Sequence, residues 1–214
     1  MAHWRSESVD FDKLYERSWE HRIPYFGRLI RRGLERRENG ALDYARPLEG
    51  KTLIDLGCGV GRFAMLAASR GARVFGYDIS PGAIAAAREK AERMGLSKKV
   101  SFEVADIAAV DYPEADIWFD MGCLQYIGPI RPVLERLRHV PLFFSELPRK
   151  GHPLNIPRLA YRKLLKGNPY RTYTKKEIRE VFSVLGNVGI EARGLAWWIT
   201  AGVGVPCSLD HPRG

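Results

Sequence analysis

Three aspartates and a glycine-rich turn have residue types and spacing suited to binding a nucleoside. Asp55 precedes the turn Gly57-Cys58-Gly59-Val60-Gly61, and Asp78 and Asp106 each follow a later apolar run. Glycines let the backbone turn tightly and approach a ligand closely. Carboxylates accept hydrogen bonds from ribose hydroxyls and from the exocyclic amine of a base. The pattern predicts Asp78 at a ribose, Asp106 at the base, and Asp55 holding the turn or contacting an ammonium group.

Two common nucleotide-binding motifs fail to match the turn. A nicotinamide-dinucleotide fingerprint needs a third glycine at position 62, where the chain has Arg62. A phosphate-binding loop needs Gly-Lys followed by Ser or Thr, and that sequence does not follow the turn. The turn alone is a weak signal, so its meaning depends on the elements around it.

Short apolar runs alternate with helical segments along most of the chain. The pattern predicts strands over 52–56, 72–78, 100–106, 115–121, 142–147, 188–193 and 195–200. It predicts helices over 62–70, 81–95, 129–139 and 174–186, after one or two N-terminal helices over 9–37 that Asn39-Gly40 ends. This alternation implies right-handed crossovers and a mostly parallel, doubly wound α/β sheet. The carboxyl ends of its strands, and with them the three aspartates, converge on one ligand-binding edge.

Capping signals mark two of the helix starts. Ser80 is a suitable N-cap, and Pro81 suits the first helical position because its missing N–H has no partner there. Thr174-Lys175-Lys176-Glu177 has the spacing of a capping box. Both signals support the order of elements given above.

Composition indicates one domain in a reducing compartment. The chain has 214 residues and is 45% hydrophobic, enough for an α/β core without disulfides or metal. Its three cysteines, Cys58, Cys123 and Cys207, form no CxxC pair, which argues against a zinc knuckle or a disulfide framework. The N-terminal residues lack the apolar core of a signal peptide, and no stretch approaches the roughly 20 apolar residues of a membrane span. We therefore expect a single cytoplasmic domain over 1–214.

With these residues and this order of elements, the chain resembles the class I S-adenosylmethionine-dependent methyltransferases. Their signature is an acidic residue followed by GxGxG after the first strand, and an acidic residue that ends the second strand. The resemblance runs from about Lys51 to Thr200 and implies a Rossmann-like, doubly wound, seven-stranded α/β sheet, mostly parallel with an antiparallel last strand. It also implies S-adenosylmethionine as the cofactor. We expect an N-terminal helical cap over 1–40, a cofactor-binding core over 51–148, a substrate-side insertion over 149–173, and a closing helix and strand pair over 174–201.

The resemblance also assigns the cofactor contacts. Asp55 and the glycines match the methionine end, Asp78 matches the ribose contact, and Asp106 with Ile107 matches the adenine contact. Met121 and Gly122 match the segment that runs past the sulfonium. The expected cofactor-binding set is Asp55, Gly57, Cys58, Gly59, Gly61, Asp78, Ile79, Asp106, Ile107, Met121 and Gly122. Tyr15, Trp19 and Arg22 are candidates for an N-terminal helix that closes over the cofactor, although core packing explains the two aromatic residues better than this role does.

The net charge of +9 is concentrated in one segment. Residues 149–176 contain nine lysines and arginines and no acidic residue. Within it, Ile156, Leu159, Ala160, Leu164 and Leu165 form one face of a short basic amphipathic helix. Three interpretations stay open: a solvated cap helix, a lid that recognises an anionic acceptor, or peripheral contact of residues 156–166 with an anionic membrane or a nucleic acid.

The acceptor side gives weaker predictions. Positioning and exclusion of water can supply much of the catalysis of methyl transfer, so a general base is needed only for an acceptor of high pKa. His152, Glu146 and Tyr126 are the candidates for that base, whereas solvation or packing explains His152 and Tyr126 as well. The segment after the fourth strand lacks the Asn/Asp-Pro-Pro-aromatic run of enzymes that methylate amino groups of nucleic-acid bases, which favours a small acceptor. We expect O-methylation in preference to N- or C-methylation.

Three rival functions stay open. An RNA methyltransferase agrees with the sequence pI near 9.6 but lacks the base-recognition run. A non-catalytic S-adenosylmethionine-binding regulatory protein would have the same cofactor residues. An aminopropyl transferase would share the fold, because a fold does not determine its chemistry.

Overall fold

A computed structural model describes residues 24–165 and 170–205, which form two compact units that divide between Ala115 and Asp116. The first unit alternates helices with parallel strands. β2 pairs with β1 on one side and with β3 on the other, in parallel. Its elements are α1 (Pro24–Asp43), β1 (Thr52–Leu56), α2 (Arg62–Ser69), β2 (Arg73–Asp78), α3 (Pro81–Arg93) and β3 (Val100–Val104).

The second unit begins in the same way and ends in an antiparallel pair of strands. β4 and β5 are parallel, whereas β7 pairs in the antiparallel direction with both β5 and β6. Its elements are β4 (Ile117–Asp120), a 3-10 turn (Leu124–Tyr126), α4 (Arg131–Arg136), β5 (Leu142–Pro148), α5 (Asn155–Leu165), α6 (Lys175–Phe182), a 3-10 turn (Ser183–Leu185), β6 (Asn187–Arg193) and β7 (Ala196–Gly202).

The strand order is β3-β2-β1-β4-β5-β7-β6 in a seven-stranded sheet. This order confirms the predicted Rossmann-like fold, which is mostly parallel with an antiparallel last strand. The β1 and β4 strands are almost entirely buried, as expected for parallel strands covered on both faces. Among the residues that the structure describes, no helix is both long and apolar enough to cross a membrane.

Several predicted boundaries differ from those of the structure, and three of the elements concerned are instructive. α1 continues through Asn39-Gly40 to Asp43, because Ala41 and Leu42 are completely buried and their packing outweighs the local stop signal. β3 ends at Val104, so Asp106 lies two residues beyond the strand instead of ending it. The helix expected over 129–139 is confined to Arg131–Arg136. The N-terminal part of the predicted helices, residues 9–23, lies outside the described residues.

Candidate functional site

The glycine-rich turn joins β1 to α2 in a backbone form that favours glycine. Gly57, Gly59 and Gly61 all have positive φ angles, of 66°, 53° and 72°. Cys58, itself buried, donates its backbone N–H to the carbonyl oxygen of Tyr77 at 3.0 Å. The turn is therefore fixed to the end of β2.

Asp78, the last residue of β2, is the residue that links the turn to α3. Its Oδ2 accepts the backbone N–H of Gly59 at 2.8 Å, and its Oδ1 accepts the N–H of Ser80 at 2.9 Å. Ser80 in turn caps α3, since its Oγ accepts the N–H of Ala83 at 3.0 Å. A carboxylate has about four lone-pair sites and can accept more than two hydrogen bonds. The side chain predicted for the ribose is thus oriented by backbone groups of the turn and of the α3 N-terminus.

The third glycine of the turn is required by packing. A Cβ at Gly61 would lie 2.5 Å from Cζ of Phe102 and 3.1 Å from Cβ of Ala87. Phe102 is a buried residue of β3, so it cannot move aside cheaply. Gly61 therefore allows close contact between the start of α2 and the side chains of β3 and α3.

Arg62 occupies the position that excludes the dinucleotide fingerprint, and it has a structural partner. Its Nε lies 3.0 Å from both carboxylate oxygens of Glu38, a buried residue of α1. The pKa of Glu38 is raised above its ordinary value, because the effect of burial exceeds the lowering by the charge and hydrogen bond of Arg62. The ion pair ties α1 to the first residue of α2. Sequence analysis did not identify this pair, because the two residues are 24 positions apart in different elements.

The remaining cofactor candidates of this unit lie within β1 or shortly after β2 and β3. Asp55 is almost fully buried within β1. Asp106 is half-buried, and its Oδ1 accepts the N–H of Ala108 at 2.9 Å. The N–H of Ala105 donates to the carbonyl oxygen of Asp78 at 2.9 Å, which keeps the Asp106 turn beside the end of β2. Ile107 is buried and Ile79 is half-buried.

In the second unit, Met121 and Gly122 follow β4 and are shaped by a residue that sequence analysis missed. Asp120 is completely buried, and its Oδ1 accepts the N–H groups of Gly122 at 3.1 Å, Cys123 at 2.6 Å and Leu124 at 3.1 Å. Burial raises the pKa of Asp120 to about 6, although these hydrogen bonds and one from Ser145 lower it. Asp120 thus determines the path of the segment that was matched to the sulfonium. The sequence did contain a signal for this residue, because Asp120 is a further aspartate at the end of a strand.

The three candidate bases lie in different elements of the second unit. Tyr126 belongs to the first 3-10 turn, with its ring centroid 6.2 Å from that of Tyr170. Glu146 is half-buried in β5, opposite Trp198. His152 is half-buried after β5, and its Nδ1 accepts the N–H of Leu154 at 3.3 Å. Because Nδ1 accepts this bond, the proton of a neutral imidazole is on Nε2. To accept a proton at Nε2, His152 would therefore have to change tautomer or orientation.

A cluster of arginines and aromatic rings, which we call the arginine–aromatic cluster, joins the end of β5 to β7. It consists of Arg149, Arg171, Tyr173 and Trp197. The guanidinium of Arg149 lies 4.8 Å from the ring centroid of Trp197, and that of Arg171 lies 5.0 Å from the ring of Tyr173. Trp197 Nε1 donates to the carbonyl oxygen of Tyr173 at 2.8 Å. Sequence analysis noted the charge of this segment but not the stacking, which depends on strand pairing distant in sequence.

The phenol of Tyr173 is the buried end of this cluster. Burial raises its pKa to about 12; the nearby Arg171 lowers the pKa, and the carboxyl of Asp120 adds to the rise. Within residues 24–165 and 170–205, its hydroxyl has no hydrogen-bond partner. A buried hydroxyl without a partner is costly, so this group is suited to bind a polar atom of a ligand.

Several candidates lie outside the described residues. Tyr15, Trp19 and Arg22 precede residue 24, and Cys207 follows residue 205. Their predicted roles stay predictions.

A comparison with protein families gives one match over the region just described. Residues 47–159, a little more than half of the chain, match a family described as a methyltransferase domain. Among curated proteins, ribosomal protein L11 methyltransferase from Pectobacterium carotovorum is 39% identical over 111 residues, which are 51% of this chain and 34% of that protein. The chain therefore spans about a third of the length of the curated relatives it matches.

Solved structures with the same fold include two methyltransferases with different acceptors. Magnesium protoporphyrin IX methyltransferase from Synechocystis, solved with bound S-adenosylhomocysteine, has a TM-score of 0.66 and 18% identity, covering 84% of this chain and 86% of that one. Geranyl diphosphate C-methyltransferase from Streptomyces coelicolor, also solved with S-adenosylhomocysteine, has a TM-score of 0.63 and 10% identity, covering 80% of each chain. At these identities the likeness shows the fold alone.

Proposed function

The chain belongs to the class I S-adenosylmethionine-dependent methyltransferases, and on that premise we propose that it methylates an oxygen atom of a small acceptor that is anionic or hydrophobic. The observation that carries the cofactor half of the proposal is the bond from the Gly59 N–H to Asp78 Oδ2 at 2.8 Å. It fixes the glycine turn and the carboxylate proposed for the ribose relative to each other before any ligand arrives. Such preorganisation lowers the cost of ordering the site on binding.

The residues of the first unit fit the cofactor. Asp78 would hold the ribose hydroxyls, Asp106 with Ile107 the adenine, and the turn at Gly57 and Gly59 the methionine end. When bound, S-adenosylmethionine supplies an electrophilic methyl group on a sulfonium. The work of the chain is then to hold an acceptor atom in line with that methyl group and to exclude water.

Charge and stacking in the second unit support an anionic or hydrophobic acceptor. The guanidinium groups of Arg149 and Arg171 lie over aromatic rings, which offers both cations and apolar surface. Arginine binds carboxylates with two parallel hydrogen bonds, so a carboxylate on the acceptor suits this cluster. The Tyr173 hydroxyl, which has no hydrogen-bond partner among the described residues, would bind one further polar atom of the acceptor.

A base is needed only if the acceptor atom is a hydroxyl. The candidate bases are the imidazole of His152, the carboxylate of Glu146 and the phenol of Tyr126. Substituting each in turn and measuring the pH profile of kcat would identify which one titrates with the reaction. An acceptor carboxylate, already ionised at neutral pH, would make all three dispensable.

A protein acceptor is the second candidate. It is favoured by the 39% identity to a ribosomal protein L11 methyltransferase over 111 residues. That match covers only about a third of the relative, so it supports a common cofactor core more strongly than a common acceptor.

The test is transfer of a labelled methyl group from S-adenosylmethionine to parallel panels of acceptors. The panels are hydrophobic carboxylic acids, phenols, amines and purified ribosomal protein L11. We expect turnover of a carboxylate or phenol, with KM raised about tenfold or more in Arg149→Met or Arg171→Met, because each loses a charged hydrogen bond. Arg131→Met, on the exposed side of α4, is the matched control. Turnover confined to L11 or to amines would contradict the proposal.

A further inference from the structure

An apolar stripe faces outward on α5. Ile156 is 65% exposed and Leu164 is 79% exposed, and Ala160 between them is also exposed. Residues four apart lie on one side of a helix, so the three form a continuous stripe. Leu154, one residue before the helix, is 63% exposed. Of the six large hydrophobic side chains exposed in the described part of the chain, three belong to this stretch of eleven residues.

The start of α5 is firmly attached to the rest of its unit. Asn155 is buried, and its Nδ2 donates to the carbonyl oxygens of Arg149 at 2.8 Å and Leu195 at 2.9 Å. Its backbone N–H donates to the carbonyl oxygen of His152 at 2.9 Å. These contacts anchor the helix beside the end of β5, with the apolar stripe on its outer side.

Two described lysines lie near the stripe. Lys163 is exposed on the helix, and Lys150, near its start, is more than half exposed with the carboxylate of Glu177 at 4.0 Å from its Nζ. Residues 149–176 contain nine lysines and arginines and no aspartate or glutamate. A partner for this surface must therefore offer negative charge and a place for aliphatic side chains.

We propose that the outer face of α5, with Leu154, is a docking site for an anionic membrane surface. Aliphatic side chains insert at the boundary between headgroups and acyl chains, while lysines and arginines attract anionic headgroups. Nucleic acid supplies the negative charge but no place for aliphatic side chains. Its single-stranded bases stack on aromatic side chains, and isoleucine and leucine offer no such platform. This inference does not depend on the acceptor or on catalysis.

The experiment is co-sedimentation of the full chain with vesicles of phosphatidylcholine alone or mixed with phosphatidylglycerol. We expect binding to the anionic vesicles, weakened by high salt, and little binding to the neutral ones. The variant Ile156→Ser/Leu164→Ser, which keeps every charge, should bind the anionic vesicles at least about tenfold more weakly. Met94→Ser is the matched control, because Met94 is an exposed hydrophobic residue of the other unit.

Other outcomes would overturn the proposal. One is a wild-type chain that does not bind anionic vesicles, and another is equal binding by the double variant. Binding of single-stranded RNA that matches vesicle binding and survives the double substitution would identify a nucleic-acid surface instead. A dimer in sedimentation velocity that the double substitution abolishes would show that a second copy covers the stripe. Circular dichroism of each variant checks that it is folded.

Discussion

The hydroxyl oxygen of Ser145 lies 2.7 Å from Oδ2 of Asp120, and both side chains are completely buried. With the three backbone N–H groups on Oδ1, the carboxyl of Asp120 has four donors directed at it. Donors favour the ionised form, but burial outweighs them and raises the pKa to about 6. The residue that shapes the segment after β4 therefore titrates near neutral pH.

Stability should depend on the ionisation of Asp120. Because its folded pKa lies above the unfolded value near 4, protonation favours the folded state, and the stabilisation present below pH 4 is lost as pH rises through about 6. The free energy of unfolding of the wild type, minus that of Asp120→Asn, should fall between pH 4 and pH 7 by up to about 3 kcal/mol. Urea unfolding of both proteins at several pH values measures this difference. A difference that rises with pH would contradict the prediction.

Ser145→Ala should move that transition. The hydroxyl of Ser145 stabilises the ionised carboxylate, so its removal should raise the pKa of Asp120 further. The pH at which the same stability difference falls should therefore shift upward. An unchanged midpoint would mean that the 2.7 Å contact does not hold the carboxylate.

Gly61→Ala should destabilise the chain more than Gly95→Ala. Both glycines have positive φ, 72° and 67°, so both substitutions introduce backbone strain of about 1 kcal/mol. Only at Gly61 would the new Cβ meet Phe102, which adds about 1–3 kcal/mol of overpacking, whereas nothing lies within 4 Å at Gly95. Thermal unfolding gives both values. In a Phe102→Leu background the extra cost at Gly61 should shrink; if it does not, the overlap with the ring is not its cause.

Arg62→Met should destabilise the first unit by about 2 kcal/mol, because the buried carboxylate of Glu38 loses its hydrogen-bonded cation. Glu38→Gln in the same background should restore part of that loss by removing the unpaired charge. The matched control is Arg131→Met, whose ion pair with Glu135 is about half exposed and should be worth less than about 0.5 kcal/mol. Equal losses from Arg62→Met and Arg131→Met in urea unfolding would refute the role given to the buried pair.

Local signals predicted most of the fold. Ser80 caps α3, and Thr174 with Glu177 forms the capping box that begins α6, as their spacing indicated. The strands were recognisable because parallel strands buried on both faces are short continuous apolar runs. Helix ends were less predictable, since burial of Ala41 and Leu42 extends α1 past a glycine that would end a solvent-exposed helix.

Contacts between residues of different elements could not be predicted from the sequence. Arg62 was noted only for not being glycine, and its contact with Glu38 depends on where α1 packs. The stacking of Arg149 on Trp197 depends on the antiparallel register of β5 and β7. The periodicity of α5 was visible, but which face would be exposed was not, because hydrophobic spacing alone does not say what the helix packs against.

The most direct test of the central claim is isothermal titration of the chain with S-adenosylmethionine, S-adenosylhomocysteine and NAD, repeated on Asp78→Ala. Asp43→Ala, an exposed aspartate of the same unit, serves as the control. We predict micromolar binding of the first two ligands, no binding of NAD, and affinity reduced about tenfold or more only by Asp78→Ala, which loses charged hydrogen bonds. Binding of NAD, binding of none of the three, or equal affinity in the Asp78 variant would contradict the assignment of the glycine turn to S-adenosylmethionine.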